Sequence, residues 1–349
     1  MAEQVPLISI ALPVYNGVGY LAEALDSILS QSWKEFELVV ADNASTDGTS
    51  ELVSSYAARD GRVRHVRSTE VLGQVENTNR AADLCRGTWI QFFCYDDIMA
   101  PGCLERLVRA IEGQSPRVGL IGHGTGLLYP RGWYLPWGLR RGAPPQRYEG
   151  PHELPGVTDL TESIKRDGRQ NIRAHLLGRG GIELPGLTNG CVRRSAWEAL
   201  GGFDRRFVHF DTFGWMVLLL GWDYVFLPGT YTLTRLHSQQ VAVAARKTLR
   251  SVGDHRLFWK EFLGGPARGL ISPLQARVFR FKRVNSVAAG PLAMAIIQGR
   301  WMQMLRIVLQ LPAMLWPTLL PFVLRTWRVE SLRIRELRRC VGLEEIYPS

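Results

Sequence analysis

Cysteine is scarce in this chain and poorly spaced for cooperative roles. The five thiols (Cys85, Cys94, Cys103, Cys191 and Cys340) are odd in number and form no CxxC pair. That pattern excludes a disulfide framework and a zinc ribbon, and it fits a reducing compartment. The first apolar run is followed by PVYNG and has no GxGxxG turn, which disfavours a nicotinamide-dependent oxidoreductase. There is no basic n-region with a cleavage site, since residues 1–4 lead straight into a strand-like run, so the expectation is a catalytic part facing the cytoplasm. No internal repeat is apparent.

Core-forming residues are plentiful. A hydrophobic content of 46% with 10% aromatics is too high for a disordered chain, and 349 residues suit one large domain with an appendage. The net charge of +10 is unevenly placed. Residues 246–349 carry 18 Lys and Arg against 6 Asp and Glu, a net +12, which leaves −2 on residues 1–245. A basic tail meets either nucleic acid or an anionic membrane, and the residues between the charges decide which.

Residues 7–13 (LISIALP) form a short continuous apolar run, the mark of a strand covered on both faces. Leu21, Leu25, Ile28 and Leu29 then recur at helical spacing before a second strand at 36–41. The alternation continues with a helix at 50–58, a strand at 63–67, a helix at 74–85 and a strand at 89–94. This predicts a doubly wound α/β sheet. Pro101 opens a helix with Leu104, Leu107, Val108 and Ile111 on its buried stripe, and 118–122 reads as a strand. The Gly/Pro/Arg-rich stretch at about 124–185 has weak periodicity and reads as a lid or acceptor-binding insertion. Beyond it come a strand at 187–192, a helix from Ser195, a GGFD turn at 201–204, a helix at about 212–220, and strands near 224–227 and 231–236.

In such sheets ligands bind beyond the carboxyl ends of the strands, where strand order reverses. Polar residues crowd those ends here: Tyr15 and Asn16 after the first strand, Asp42 and Asn43 after the second, Asp96 and Asp97 after the fourth. Asp42 suits a nucleobase imide or a ribose hydroxyl, with a turn cap as the plain alternative. The adjacent Asp96 and Asp97 repel each other, and a divalent cation relieves that; oxygen ligands of this kind suit Mn2+ or Mg2+ together with a diphosphate, with a solvated acidic turn before a helix as the plain alternative.

Five segments in order, ISIALPVYNGVGYLAEALDSILSQSW, FELVVADNASTDGT, GTWIQFFCYDDIMAP, GGFDRRF and FDTFGWMVLLL, together resemble the GT-A-fold family 2 glycosyltransferases over about residues 7–240. The resemblance implies a Rossmann-like mixed α/β sheet and inverting transfer of a hexose-type sugar from a nucleoside-diphosphate donor, UDP-linked, to a glycan or lipid-linked hydroxyl. It also implies site roles. Pro13, Tyr15, Asn16 and Asp42 line the donor pocket, joined by Asn79 in the helix before the fourth strand. Asp96 and Asp97 stand at the DxD-type motif, His237 joins them at the metal and diphosphate, and Asp211 is the general base. Gly190, Cys191 and Phe210 fall on the acceptor side. Four positions depart from the family pattern: Asn43 where a second aspartate is common, Thr78 before Asn79 where an arginine is common, Cys94 at the first position of the acidic motif, and Phe210 in place of a glutamate. Cys94 and Phe210 keep open a non-catalytic nucleotide-sugar or lipid-binding protein of the same fold.

The expected organisation is a catalytic domain over 1–245 and a basic, amphipathic helical region over 246–349. Residues 307–324 carry no charge and lie between Arg306 and Arg325, but Pro312, Pro317 and Pro321 oppose a clean span. With Trp301, Trp316, Trp327 and six arginines from Arg325 to Arg339, the pattern favours a shallow or re-entrant segment at an anionic membrane. Nucleic acid is disfavoured. A packed helical subdomain or a homo-oligomer interface is the alternative. The expected location is peripheral, at the inner face of the plasma membrane.

Overall fold

A computed structural model describes residues 5–129, 133–135, 146–150, 163–179, 184–237 and 250–297. The core is one mixed sheet between two helical layers. Strands β1 (Ile8–Val14), β2 (Phe36–Asp42), β3 (Val63–Arg67) and β4 (Trp89–Phe92) run parallel in the order β3-β2-β1-β4. Helices α1 (Val18–Leu29), α2 (Thr49–Ala57) and α3 (Gln74–Leu84) connect them. The chain winds outward from β1 to β3 and then returns to β1's other side, so the reversal point lies between β1 and β4.

The second half extends the sheet in mixed sense. β5 (Ile98–Met99) and α4 (Cys103–Ile111) lead into β6 (Val118–Tyr129), followed by β7 (Trp133–Leu135), β8 (Gln146–Arg147), β9 (Ile164–Arg166) and α5 (Gly168–Leu176). β10 (Gly190–Arg193) lies antiparallel between β4 and β6, and β11 (Asp223–Arg235) runs parallel to β6. Between β10 and β11 come α6 (Arg194–Leu200) and α7 (Phe210–Leu218).

Side-chain alternation explains the layers. Ile8, Ile10 and Leu12 of β1 and Leu38 and Val40 of β2 point to the face covered by α1, α2 and α4. Ala11, Val39 and Ala41 point to the face covered by α3, α6 and α7. Both faces are dry, which is why these strands read as continuous apolar runs.

Two readings of the sequence change. The predicted strand at 118–122 continues to Tyr129, and part of the 124–185 stretch forms β7, β8, β9 and α5. The two predicted strands at 224–227 and 231–236 are one strand, β11, whose pairing with β6 shifts register between Leu227 and Thr232. An irregularity there lets Gly229 take a φ of 119°.

After the catalytic layers come α8 (Arg250–Gly264) and α9 (Pro273–Ile297). α8 shares the core of α7: the Phe213 and Phe258 rings stack with centroids 3.9 Å apart, and Trp259 and Phe262 are buried in the same cluster. Each such side chain contributes on the order of 1.5–3 kcal/mol by leaving water. Removing everything beyond about residue 245 would therefore strip a face from the core. Among the described residues no helix is long and apolar enough to cross a membrane. Residues 307–324 and 325–339 lie outside the described residues.

Candidate active site

The carboxyl ends of β1 and β2 are level, Val14 pairing with Asp42. The turn formers that follow knit the two loops together. The Asn16 N–H donates to Ser45 Oγ at 3.0 Å, Gly17 N–H to Thr49 Oγ1 at 2.9 Å and Val18 N–H to Asp47 Oδ2 at 3.1 Å. Asn16 has a left-handed φ of 49°, and its Oδ1 accepts from the Thr46 N–H at 2.9 Å. Gly17 is required for contact: a Cβ there would lie 2.6 Å from the Tyr95 ring, so the glycine lets the fourth strand's end close on the first. Pro13 is partly buried, and Tyr15 is 45% exposed.

Asp42 is fully buried. Burial alone would raise its carboxyl, but hydrogen bonds from Ser45, Ser50 and His65 outweigh that and hold it below the ordinary carboxylate value. Its Oδ1 accepts from Ser45 N–H at 3.0 Å, while Arg67 Nε lies 3.6 Å from Oδ2. Asn43 pins the next loop, exchanging hydrogen bonds with the Leu72 backbone at 2.9 and 2.8 Å.

The second group of acids follows β4. Asp96 Oδ2 lies 2.8 Å from His237 Nε2, and the imidazole packs at 5.0 Å against the Tyr20 ring. Asp97 is 3% exposed and accepts from the Thr188 hydroxyl and, at 3.0 Å, from the Arg235 N–H. Burial first, and the Asp96 charge second, push the Asp97 carboxyl well above its ordinary value. Arg235 ties β11 to this loop: its Nε donates to the Asp96 carbonyl at 3.1 Å, its Nη2 binds Glu23, and its guanidinium lies over Tyr20.

Asp211 sits in the first turn of α7, where the helix N-terminus favours a carboxylate. Burial nevertheless raises its carboxyl above the ordinary value, opposed by backbone N–H bonds from Thr212 and Leu187. The charges of Asp97, Asp96 and Asp211 all act on the Cys94 thiol, which burial pushes up first. Asp211, far away in sequence, approaches this loop through the turn before β10, where a Cβ on Gly186 would lie 3.7 Å from Asp211 Oδ2.

Several expected contacts lie elsewhere. Cys191 is fully buried and pairs with Gln91 and Ile121 inside the sheet, and Phe210 is 5% exposed in an aromatic cluster with Phe203. Strand alternation and the apolar face of α7 turn both inward, so neither has appreciable surface to offer an acceptor. Asn79 is engaged at the GGFD turn, its amide exchanging bonds with the Phe203 backbone at 2.9 Å in both directions. Gly190 is set by packing, since a Cβ there would lie 3.1 Å from the Trp215 ring. Thr188, Asn189, Arg235, Glu23 and Tyr20 belong to the site and were not singled out from the sequence. Each is an ordinary polar or aromatic residue whose partner is remote; Arg235 and Glu23 are 212 positions apart.

Ligand atoms of Cys94, Asp96 and Asp97 lie within 4.8 Å of one another. His237 Nδ1 is buried and finds no hydrogen-bond partner among the described residues. Two carboxylates, an imidazole and a nearby thiol form a donor set that fits a divalent cation of the Mg2+ or Mn2+ type. A dication would also offset the repulsion that raises Asp97.

Residues 9–156 match the family model described as glycosyl transferase family 2. The described sheet is the GT-A arrangement. Chondroitin synthase of Escherichia coli is 34% identical over 104 residues, covering 30% of this chain and 15% of that protein. Among solved structures, S. aureus TarS (residues 1–349) in complex with UDP-GlcNAc aligns at a TM-score of 0.57 and 16% identity, over 93% of this chain and 91% of that one. The mannosyltransferase PcManGT of Pyrobaculum calidifontis, in complex with GDP-Man and Mn2+, aligns at 0.55 and 19% identity, over 94% of this chain and 87% of that one. The chain spans less than half the length of the curated relatives it matches.

Proposed function

We propose that this protein transfers a hexose-type sugar, with inversion, from a UDP-linked donor to a hydroxyl of a glycan or lipid-linked acceptor during cell-surface polysaccharide synthesis. The observation that carries the reading is the cluster of Asp96, Asp97 and His237, with Asp211 lying against the turn whose Thr188 bonds Asp97. The TarS complex and the polysaccharide synthase named above support a UDP donor and a glycan product.

The residues divide the work by chemistry. Asp42 offers a buried acceptor to the donor's base or ribose. A sugar hydroxyl is a weak nucleophile at neutral pH, so Asp211 takes its proton as the bond to the anomeric carbon forms. The raised carboxyl of Asp211 makes it a stronger base than an exposed aspartate. Asp96, Asp97 and His237 would hold the divalent cation, which when bound neutralises charge on the departing diphosphate. Glu23 and Tyr20 hold Arg235, and Arg235 in turn fixes the Asp96 carbonyl and the Asp97 carboxylate.

Thermal-shift screening with UDP-, GDP- and dTDP-sugars tests this, because a ligand that binds the native state raises its melting temperature. The expected result is a rise of several degrees with one UDP-sugar and Mn2+, reduced without the ion. No rise with any nucleotide sugar would reject the reading.

A peripheral station at the inner face of an anionic membrane is part of the proposal. Its support is α9, where Leu274 (71% exposed), Val278 (44%) and Phe281 (38%) lie on one face at i, i+4 and i+7. Exposed Arg277 and Lys282 flank that stripe. Replacing the three apolar residues together by serine is expected to weaken flotation with phosphatidylglycerol vesicles about tenfold or more. Equal flotation of variant and parent would remove α9 from the membrane account.

A further inference from the structure

Four residues between the predicted insertion and β10 (Gly186, Leu187, Thr188 and Asn189) touch both halves of the site. The Thr188 hydroxyl donates to Asp97 Oδ2 and accepts from the Cys94 N–H at 3.2 Å. The Thr188 carbonyl accepts from Gln91 Nε2 at 2.8 Å, which fixes the residue to β4. At the turn's other end, Gly186 lies against the base: a Cβ there would come 3.7 Å from Asp211 Oδ2. Asn189 touches neither acid but closes the turn: its Oδ1 accepts from the Gly186 N–H at 2.7 Å, and its Nδ2 donates to the His123 carbonyl at 2.6 Å. A return bond from the His123 N–H to the Asn189 carbonyl, at 3.1 Å, completes the clamp on β6.

We infer that the turn 186–189 is a positioning element that sets the cation-side carboxylate Asp97 and the general base Asp211 from one rigid piece, with Thr188 and Asn189 as its positioning residues. The inference rests on the roles proposed above for those two acids. Its physical basis is shared geometry: a turn clamped to β4 and β6 cannot shift one acid without shifting the other. A bond to a charged group is among the stronger hydrogen bonds, and a donor that orients a metal ligand commonly sets about 10–100-fold in affinity.

The test measures Mn2+ affinity of the full chain from the free-ion paramagnetic resonance signal, alongside kcat with the donor chosen by thermal shift. Thr188→Val removes the hydroxyl and is expected to weaken Mn2+ binding about tenfold, while Thr188→Ser restores it to within about twofold of the parent. Asn189→Ala leaves both acids chemically untouched, yet is expected to lower Mn2+ affinity several-fold and kcat about tenfold together, with the acceptor KM nearly unchanged. If Asn189→Ala does not fold, the Thr188 pair decides. Unchanged Mn2+ affinity in Thr188→Val, with Asp97→Asn losing it, would overturn the inference and leave the site reading intact. Unchanged affinity in Asp97→Asn itself would overturn both.

Discussion

Asp211→Asn is expected to lower kcat by about 10²–10⁴-fold while donor affinity stays within about twofold, because the change removes a base and not a pocket. Asparagine has the same shape and can still accept a hydrogen bond from the Thr212 or Leu187 backbone. The pH profile gives a second reading of the same group. Burial holds the Asp211 carboxyl above the ordinary carboxylate value, and only the ionised form can take a proton. Turnover should therefore fall as pH drops through that raised value and reach its plateau above it. In Asp211→Asn that limb should vanish, leaving a low, flat profile. Full activity, or an unchanged acid limb, would reject Asp211 as the base.

The second large effect concerns the cation. Asp97→Asn is expected to weaken Mn2+ binding by about two orders of magnitude and to abolish the Mn2+-dependent rise in melting temperature with a nucleotide sugar. Asp97 is buried beside Asp96, and in the free protein the nearby Arg235 charge only partly offsets the burial and repulsion that raise its carboxyl. Asparagine removes one of the two acids, and the metal-free variant should fold at least as readily as the parent. Asp96→Asn should lose metal affinity as well, and in addition should release the His237 imidazole from its 2.8 Å contact. Retention of the Mn2+ increment in both variants would count against the acidic cluster as the cation site.

The parallel half of the fold was legible because β1, β2 and β4 are buried on both faces and each helix carries one apolar stripe, while the edge strand β3 buries only Val63 fully. β3 was predicted at the residues it occupies, and β1, β2 and β4 within two residues at either end. The antiparallel half was harder to read. The extension of β6 runs through GHGTGLLY, where glycines interrupt the apolar pattern, and its partner β11 bends at an irregularity near Gly229 that divides one strand into two apparent ones. The pairing is set by long-range contacts, which periodicity does not register.

The candidate site shows the same division. Asp42, Asp96 and Asp97 stand out as carboxylates ending apolar runs, although a turn cap also explains Asp42, whose Oδ1 accepts from the Ser45 N–H. Asp211 and His237 were reached only through resemblance, since an aspartate in a helix's first turn and a histidine after a strand are common. Thr188 left no trace at all: its partner Asp97 is 91 positions away, and nothing in LTNG distinguishes a load on a distant acid from an ordinary turn. Cys191 and Phe210 show the opposite error, since residues next to functional neighbours in sequence face the core once the strand and helix periods are imposed.

The account stands on one shared site for an ion, a diphosphate and the base. Crystals soaked with UDP and Mn2+, measured at the manganese absorption edge, test it most directly. The expected result is a single anomalous peak against the Asp96 and Asp97 carboxylates, with the diphosphate on it and Asp211 facing the same opening. Manganese bound elsewhere, or Asp211 turned away from the nucleotide, would contradict the account.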